Sequence, residues 1–366
     1  MNDGNYSWRG FKWIASTTGS ETVVPDRVHE VRSKVVLRGI AVEPQDKSGL
    51  DATVLDRAAG AVIGGAVGDA LGAGYEFGSM VEPEDVEMLV GRLTGEPAGY
   101  WTDDTAMAIA ILETAATLGT LITTEASGSV GNRFIEWYRT DPRDVGNQIR
   151  AVLEGASPGS DLVMGAAVVQ EKDPSRAGNG SLMRTGPVAL AHLGNDDELV
   201  KAAKMMSALT HPNPYALDAC ALWTIAIDRA IRTGELAGPR AGLHLIDEAR
   251  RTEWEEWITD AETRSPREFN PNGYVVNALQ AAWSAIDTTR FSREHYVAAV
   301  REAVAIGNDT DTVAAIAGSL VGATYGLRSI PVEWQNGLRG WPRGYQSIDL
   351  IRLAERTVTS VREREE

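Results

Sequence analysis

Residues 58–78 read AAGAVIGGAVGDALGAGYEFG, and within them Gly60, Gly64, Gly68 and Gly72 recur at every fourth position. A spacing of four puts all of them on one face of a helix, where the missing side chains let another backbone come close. Phosphate-binding loops are the competing explanation for so much glycine. No Gly-Lys-Ser/Thr is present, and the Gly-x-Gly-x-x-Gly pattern that starts at Gly72 ends on Phe77, so neither nucleotide fingerprint holds. The stretch therefore predicts close packing of two helices. Asp69 stands alone in this apolar run and Glu76 follows its end. Asp69 is either a buried acid that caps a neighbouring helix or a support for a metal site.

The same helical spacing continues outward. From Leu55 onward apolar residues recur with helical period, with Gly or Pro at the breaks, over segments that include 55–74, 104–119, 215–233, 241–250, 273–287, 311–325 and 347–363. No strand pattern alternates with them often enough for a parallel sheet. The expected fold is all-α, a compact multi-helix domain over residues 54–366. Residues 1–53 read as an N-terminal arm: they hold Tyr6, Trp8, Phe11 and Trp13, Gly/Ser/Thr-rich stretches, and β-like runs such as SKVVLRGIAVE at 33–43.

Composition narrows the function classes. With 366 residues, 43% of them hydrophobic, the chain can bury a large core. A single cysteine, Cys220, excludes an intrachain disulfide framework and fits a reducing compartment. The first residues lack the apolar run of a signal peptide, and the longest later apolar stretch, Ala58 to Gly68, breaks at Asp69, so a cytoplasmic protein without a membrane span is expected. The net charge is −16, and residues 1–50 hold seven Lys and Arg against six Asp and Glu, so the acidity lies in the body. Such a charge argues against nucleic acid as a direct partner, because that needs clustered cations to displace counterions.

Two acidic clusters carry the chemistry. Thr102-Asp103-Asp104-Thr105 precedes AMAIAILETAATLG, and Asn308-Asp309-Thr310-Asp311-Thr312 precedes VAAIAGSLVGATYG. Helix capping needs one side-chain oxygen, whereas each cluster offers two carboxylates and two threonines, and like charges that close repel unless a cation sits between them. An EF-hand loop from Asp309 fails, since its sixth position is Ala314 and its twelfth Leu320. A site for two hard cations such as Mg²⁺ or Mn²⁺ is the leading reading. A second Gly-rich loop, Gly178-Asn179-Gly180-Ser181-Leu182-Met183-Arg184, offers successive backbone N–H groups and an Arg suited to a pyrophosphate or ribose, although a plain turn has the same composition. His211 follows an apolar helix and by itself reads as a helix C-terminal partner.

In their order along the chain, Tyr75-Glu76, Trp101 to Thr105, Asp144-Val145-Gly146-Asn147, Gly178 to Arg184, Thr210-His211-Pro212, Asn272-Gly273-Tyr274-Val275 and Gly307 to Thr312 resemble the ADP-ribosylglycohydrolase family over about residues 54–360. The resemblance implies an all-α fold with a binuclear Mg²⁺ or Mn²⁺ centre that removes ADP-ribose from a modified side chain, most often arginine. It implies Thr102, Asp103, Asp104, Asp309, Asp311 and Thr312 as metal ligands, with Asp104 and Asp309 counted in the catalytic set. Glu76 matches a mobile acid beside the metals and Asp144 an acid facing the leaving group, and either could orient the water or handle the proton. Gly178, Asn179, Gly180, Ser181, Met183 and Arg184, with His211 and Tyr274, would hold the ADP-ribose. A second expectation concerns the arm: some proteins of this kind are immunity partners of ADP-ribosylating toxins, and the aromatic arm could dock on such a transferase. The bland reading of the arm is a β-hairpin packed on its own domain.

Overall fold

A computed structural model describes residues 51–365, so the arm's β-like run, the hairpin and the toxin-docking expectation lie outside the described residues. Fourteen α-helices make up the described chain: α1 (Ala52–Gly72), α2 (Asp103–Leu118), α3 (Thr124–Tyr138), α4 (Asn147–Leu153), α5 (Leu162–Lys172), α6 (Gly186–Leu190), α7 (Asp196–Ala208), α8 (Pro214–Thr233), α9 (Glu248–Thr263), α10 (Val275–Thr289), α11 (His295–Ala305), α12 (Thr310–Tyr325), α13 (Val332–Gly337) and α14 (Ser347–Glu365). Among the described residues the only sheet is one antiparallel pair, Arg339–Gly340 with Tyr345–Gln346. The all-α expectation holds. No described helix is long and apolar enough to cross a membrane.

The glycine face of α1 packs against α12 in antiparallel register. A Cβ added to Gly60 would lie 2.3 Å from the Gly322 carbonyl oxygen, one on Gly64 2.3 Å from that of Gly318, one on Gly68 2.1 Å from that of Ala314, and one on Gly72 2.4 Å from the Cα of Asp311. Gly318 and Gly322 reciprocate, each with its own Cβ position within 2.2 Å of the Gly64 or Gly60 carbonyl oxygen. Backbone thus touches backbone along four turns, and dispersion accumulates over that length. Tyr296 of α11 closes the seam from the side, its hydroxyl donating to the Gly64 carbonyl at 2.9 Å. α12 is buried from Thr310 to Thr324, so it forms the central rod of the fold. The register sets the site: it delivers Asp69 and Gly72, at the end of α1, beside Asp311, at the start of α12.

One predicted segment differs. The apolar spacing predicts a helix at 241–250, but Pro239–Leu245 forms 3₁₀ turns and α9 begins only at Glu248. α9 is rich in Arg and Glu and buries only Trp254, Ile258 and Ala261, so its apolar stripe is too thin to give a clear period. Asp247 starts it by accepting from the Ala249 amide at 3.0 Å.

Candidate metal centre and nucleotide loop

Neither acidic cluster caps its own helix through its cap residue: Thr102 before α2 and Asp309 before α12 make no side-chain capping bond. For α2 the duty falls to Asp69 of α1. Its carboxylate accepts from the Thr102 amide at 2.9 and 3.1 Å, the Thr102 hydroxyl at 2.9 Å, the Thr105 amide at 3.0 Å and the Thr105 hydroxyl at 2.5 Å. With the helix start satisfied from outside, Asp103 and Asp104 are released from capping. The two readings of Asp69 therefore merge, because a cap whose oxygens are saturated is also what orients the threonine and carboxylate beside it.

The carboxylates gather in two groups. Asp69, Asp104 and Asp311 place oxygens within 4.8 Å of one another, as do Glu76, Asp309 and Asp311, so Asp311 belongs to both. Asp103 lies beside them in neither group, with Oδ2 accepting from the Gly146 amide at 3.5 Å. Asp104 Oδ2 lies 3.1 Å from the Thr102 hydroxyl and competes with Asp69 for its one proton, while its Oδ1 is buried with no hydrogen-bond partner. A buried anionic oxygen without a donor is costly unless a cation serves it. The donor set, carboxylates with two adjacent threonine hydroxyls, is what hard divalent cations take. The residues present fit such ions.

Electrostatics agree. Burial, followed by the facing charges of Asp144, Asp309 and Asp103, pushes Glu76 up to about 10. Burial pushes Asp69 up to about 6 despite its five donor contacts. Burial and neighbouring carboxylates hold Asp103, Asp104 and Asp311 well above the usual carboxylate range. Acids whose folded pKa exceeds the unfolded value bind protons on folding; their contribution to stability is complete below the unfolded pKa near 4 and is lost as pH rises through the folded pKa. In chelator the protein is thus expected to melt progressively lower as pH rises from about 5 through 8, the window opened by Asp69 and Glu76. Saturating Mn²⁺ or Mg²⁺, which needs the ionised forms, should abolish or reverse that slope. Melting curves at stepped pH with and without cation check it, and identical slopes in the two would reject the ion site.

The second cluster is held from behind by Asn272, which is fully buried. Its Oδ1 accepts from the Asp309 amide at 3.0 Å and from Asn308 Nδ2 at 2.9 Å, and its Nδ2 donates to the Gly307 carbonyl at 3.1 Å. The Asn272 carbonyl takes Asn179 Nδ2 at 3.1 Å, and the same Nδ2 reaches Asp309 Oδ2 at 2.7 Å. Asn272 and Asn179 thus join the Gly-rich loop to the carboxylates. No spacing rule in the sequence marks Asn272 as such a hub.

The loop lies against the strand-like edge at Tyr274: the Asn179 amide donates to the Gly273 carbonyl at 3.2 Å and the Val275 amide to the Ala177 carbonyl at 2.8 Å. A Cβ on Gly178 or Gly180 would come within 3.5 Å or 3.0 Å of the His211 ring, so glycine there lets the imidazole rest on the loop backbone. Tyr274 remains exposed at the rim, and Met183 is buried with its sulfur 3.9 Å from the Thr312 hydroxyl. Two expected ADP-ribose contacts turn inward instead. Ser181 is buried, its hydroxyl 2.9 Å from that of Ser207. Arg184 is also buried, over the Phe134 ring at 4.6 Å, donating to the Gly180 carbonyl at 3.1 Å, the Met206 carbonyl at 3.3 Å and the Thr210 hydroxyl at 2.7 Å. The charge that looked available for a phosphate in the sequence is spent on holding the loop. Asp144 is half-buried near Glu76, and its charge helps to hold the Glu76 carboxyl above the usual range.

Comparison with known proteins gives a consistent picture. The family model described as ADP-ribosylglycohydrolase matches residues 50–366. ADP-ribosylarginine hydrolase Tri1 of Pseudomonas putida (strain GB-1) is 31% identical over 309 residues, covering 80% of this chain and 77% of that protein. ADP-ribosyl-[dinitrogen reductase] glycohydrolase of Rhodospirillum rubrum is 31% identical over 296 residues, covering 78% and 91%. Human ADP-ribosylhydrolase ARH3 is 25% identical, covering 81% and 92%. A solved structure titled ADP-ribosylglycohydrolase-related protein complex superposes with a TM-score of 0.68 at 30% identity, covering 84% of this chain and 99% of its own.

Proposed function

The chain belongs to the ADP-ribosylglycohydrolase family, and on that premise we propose that it hydrolyses the N-glycosidic bond between ADP-ribose and a modified protein side chain, with arginine the preferred acceptor. The observation that carries the reading is Asp311 shared between two carboxylate groups, with the Gly178–Arg184 loop tied to the same carboxylates through Asn179. Two of the relatives above support the acceptor, one named for ADP-ribosylarginine and one for an ADP-ribosylated protein.

Under this reading Thr102, Asp103, Asp104, Asp309, Asp311 and Thr312 hold two divalent cations, Mg²⁺ or Mn²⁺. When bound, these ions offset the carboxylate charge and supply Lewis acidity beside the ribose. The protein's own groups do the rest. The backbone of Gly178 to Gly180, His211 and Tyr274 position the ADP-ribose, so that C1″ lies near the acids. Cleavage there develops positive charge on the ribose, which the surrounding carboxylates favour. Glu76 and Asp144, whose carboxyls influence one another, orient the attacking water and take its proton while the guanidine leaves with one. The test is release of ADP-ribose from ADP-ribosyl-arginine and ADP-ribosyl-serine peptides with Mg²⁺, Mn²⁺ or chelator. Faster turnover of the arginine peptide, lost in chelator, is expected; no release from either peptide with either ion would sink the proposal.

Tyr6, Trp8, Phe11 and Trp13 support a secondary role for residues 1–53, that of an arm through which the protein binds an ADP-ribosyltransferase as an immunity partner. Deleting residues 1–50 is then expected to leave hydrolysis within a few-fold of wild type and to abolish transferase binding in a pull-down. An insoluble or inactive truncation would make the arm part of the catalytic domain instead.

A further inference from the structure

His211 is buried against the Gly-rich loop, and its Nδ1 lies 2.7 Å from the Thr210 hydroxyl oxygen. The same oxygen receives Arg184 Nη2 at 2.7 Å. A guanidinium only donates, so the Thr210 oxygen accepts from Arg184 and has a single proton left to place. Among the described residues that hydroxyl makes no other hydrogen bond, and Thr210 is wholly buried. Its proton therefore goes to His211 Nδ1, which must be the unprotonated nitrogen. A proton on Nδ1 would leave the hydroxyl proton buried without an acceptor. The ring hydrogen then sits on Nε2, 3.5 Å from the Cβ position of Gly178 and 3.3 Å from that of Gly180, on the backbone face of the loop.

The geometry points to Arg184 and Thr210 as positioning residues that fix His211 in its Nε2–H form, so that the ring presents a hydrogen-bond donor to an oxygen of ADP-ribose lying over Gly178–Gly180. This rests on the proposed function for its ligand, though not for the tautomer itself. Arg184 acts from behind the site, bonded to the Gly180 and Met206 carbonyls and packed on Phe134. Gln148 steadies the other side by donating to the Thr210 carbonyl at 2.9 Å, and the Ser207 hydroxyl donates either to Ser181 at 2.9 Å or to the His211 carbonyl at 3.0 Å. The donor is thus oriented before the ligand arrives, which lowers the ordering cost of binding. It also assigns a use to the inward-turned Arg184.

The chain has five histidines, so the test is ¹⁵N NMR of the full-length protein labelled at histidine, with His211→Asn used only to assign the signal. Wild type should show His211 protonated at Nε2 and bare at Nδ1. Thr210→Val, which keeps shape and removes the hydroxyl, should give mixed tautomers and weaken ADP-ribose binding by about 5- to 10-fold in calorimetry, the effect of losing one well-placed hydrogen bond. KM should rise more than kcat falls, and Thr210→Ser should restore both tautomer and affinity. A wild-type ring protonated at Nδ1, or a Thr210→Val protein with unchanged tautomer and affinity, would overturn the assignment. If Thr210→Val fails to fold, the wild-type and Thr210→Ser spectra decide it. Failure of wild type to bind ADP-ribose with Mn²⁺ present would count against the hydrolase reading, whereas the ring-nitrogen spectrum answers the tautomer question without any ligand.

Discussion

Asp311→Ala is expected to lower hydrolysis by about 10²-fold or more, the largest loss of any single carboxylate replacement in this centre. The reason is its double membership: among the described residues it is the acid common to both carboxylate groups, so under the proposed function its removal should weaken cation binding at both together. Asp309→Ala touches only one group and should retain part of the cation binding. Cation stoichiometry by calorimetry separates the two variants, and an Asp311→Ala protein that still binds two ions and turns over would remove Asp311 from the centre. Folding should not suffer. Asp311 is held well above the usual carboxylate range by burial and by Glu76 and Asp104, so deleting it relieves repulsion, and the metal-free variant should melt no lower than metal-free wild type.

Gly64→Ala should be strongly destabilising for a single added methyl. Its Cβ would stand 2.3 Å from the Gly318 carbonyl oxygen and 3.2 Å from the Gly322 Cα, and backbone cannot swing aside as a side chain can. Overpacking of this kind costs about 3 kcal/mol, at the upper end of the usual range. Any relief comes from separating α1 and α12, which also pulls Asp69 from Asp311, so activity should fall with stability. Gly128→Ala in α3 is the control. Nothing lies within 4 Å of its Cβ position, and the change should stabilise by about 0.5 kcal/mol through helix propensity. Chemical denaturation of both variants checks the contrast; equal stabilities would mean that the helices do not meet through glycine.

The parts of this fold that were legible in the sequence are those whose causes are local. The four-residue glycine spacing announced a helix seam, and consecutive acids ahead of apolar runs announced the carboxylate centre. What escaped was decided by partners distant in the chain. α9 hides its helicity because its buried stripe is only Trp254, Ile258 and Ala261 amid charge. Asn272 looks like any loop asparagine until Asp309, Asn308 and Gly307 converge on it. Arg184 beside a Gly-rich loop suggests a phosphate ligand, yet Met206, Thr210 and Phe134 claim it from within the core. The capping of α2 by Asp69 was open in the sequence for the same reason, since nothing local tells which helix a buried acid will face.

The seam between α1 and α12 also has a consequence in time. Gly60 meets Gly322 and Gly72 meets Asp311, so the first and nearly the last helices of the described chain must find each other across more than two hundred intervening residues. Closing so long a loop is entropically costly and such contacts form slowly. During synthesis α1 emerges early and has to wait, its glycine face uncovered, until residues beyond 325 leave the ribosome. The carboxylates are therefore brought together only once the body is all but complete, and a ribosome stalled before α12 releases a chain without Asp311, the acid that both carboxylate groups share.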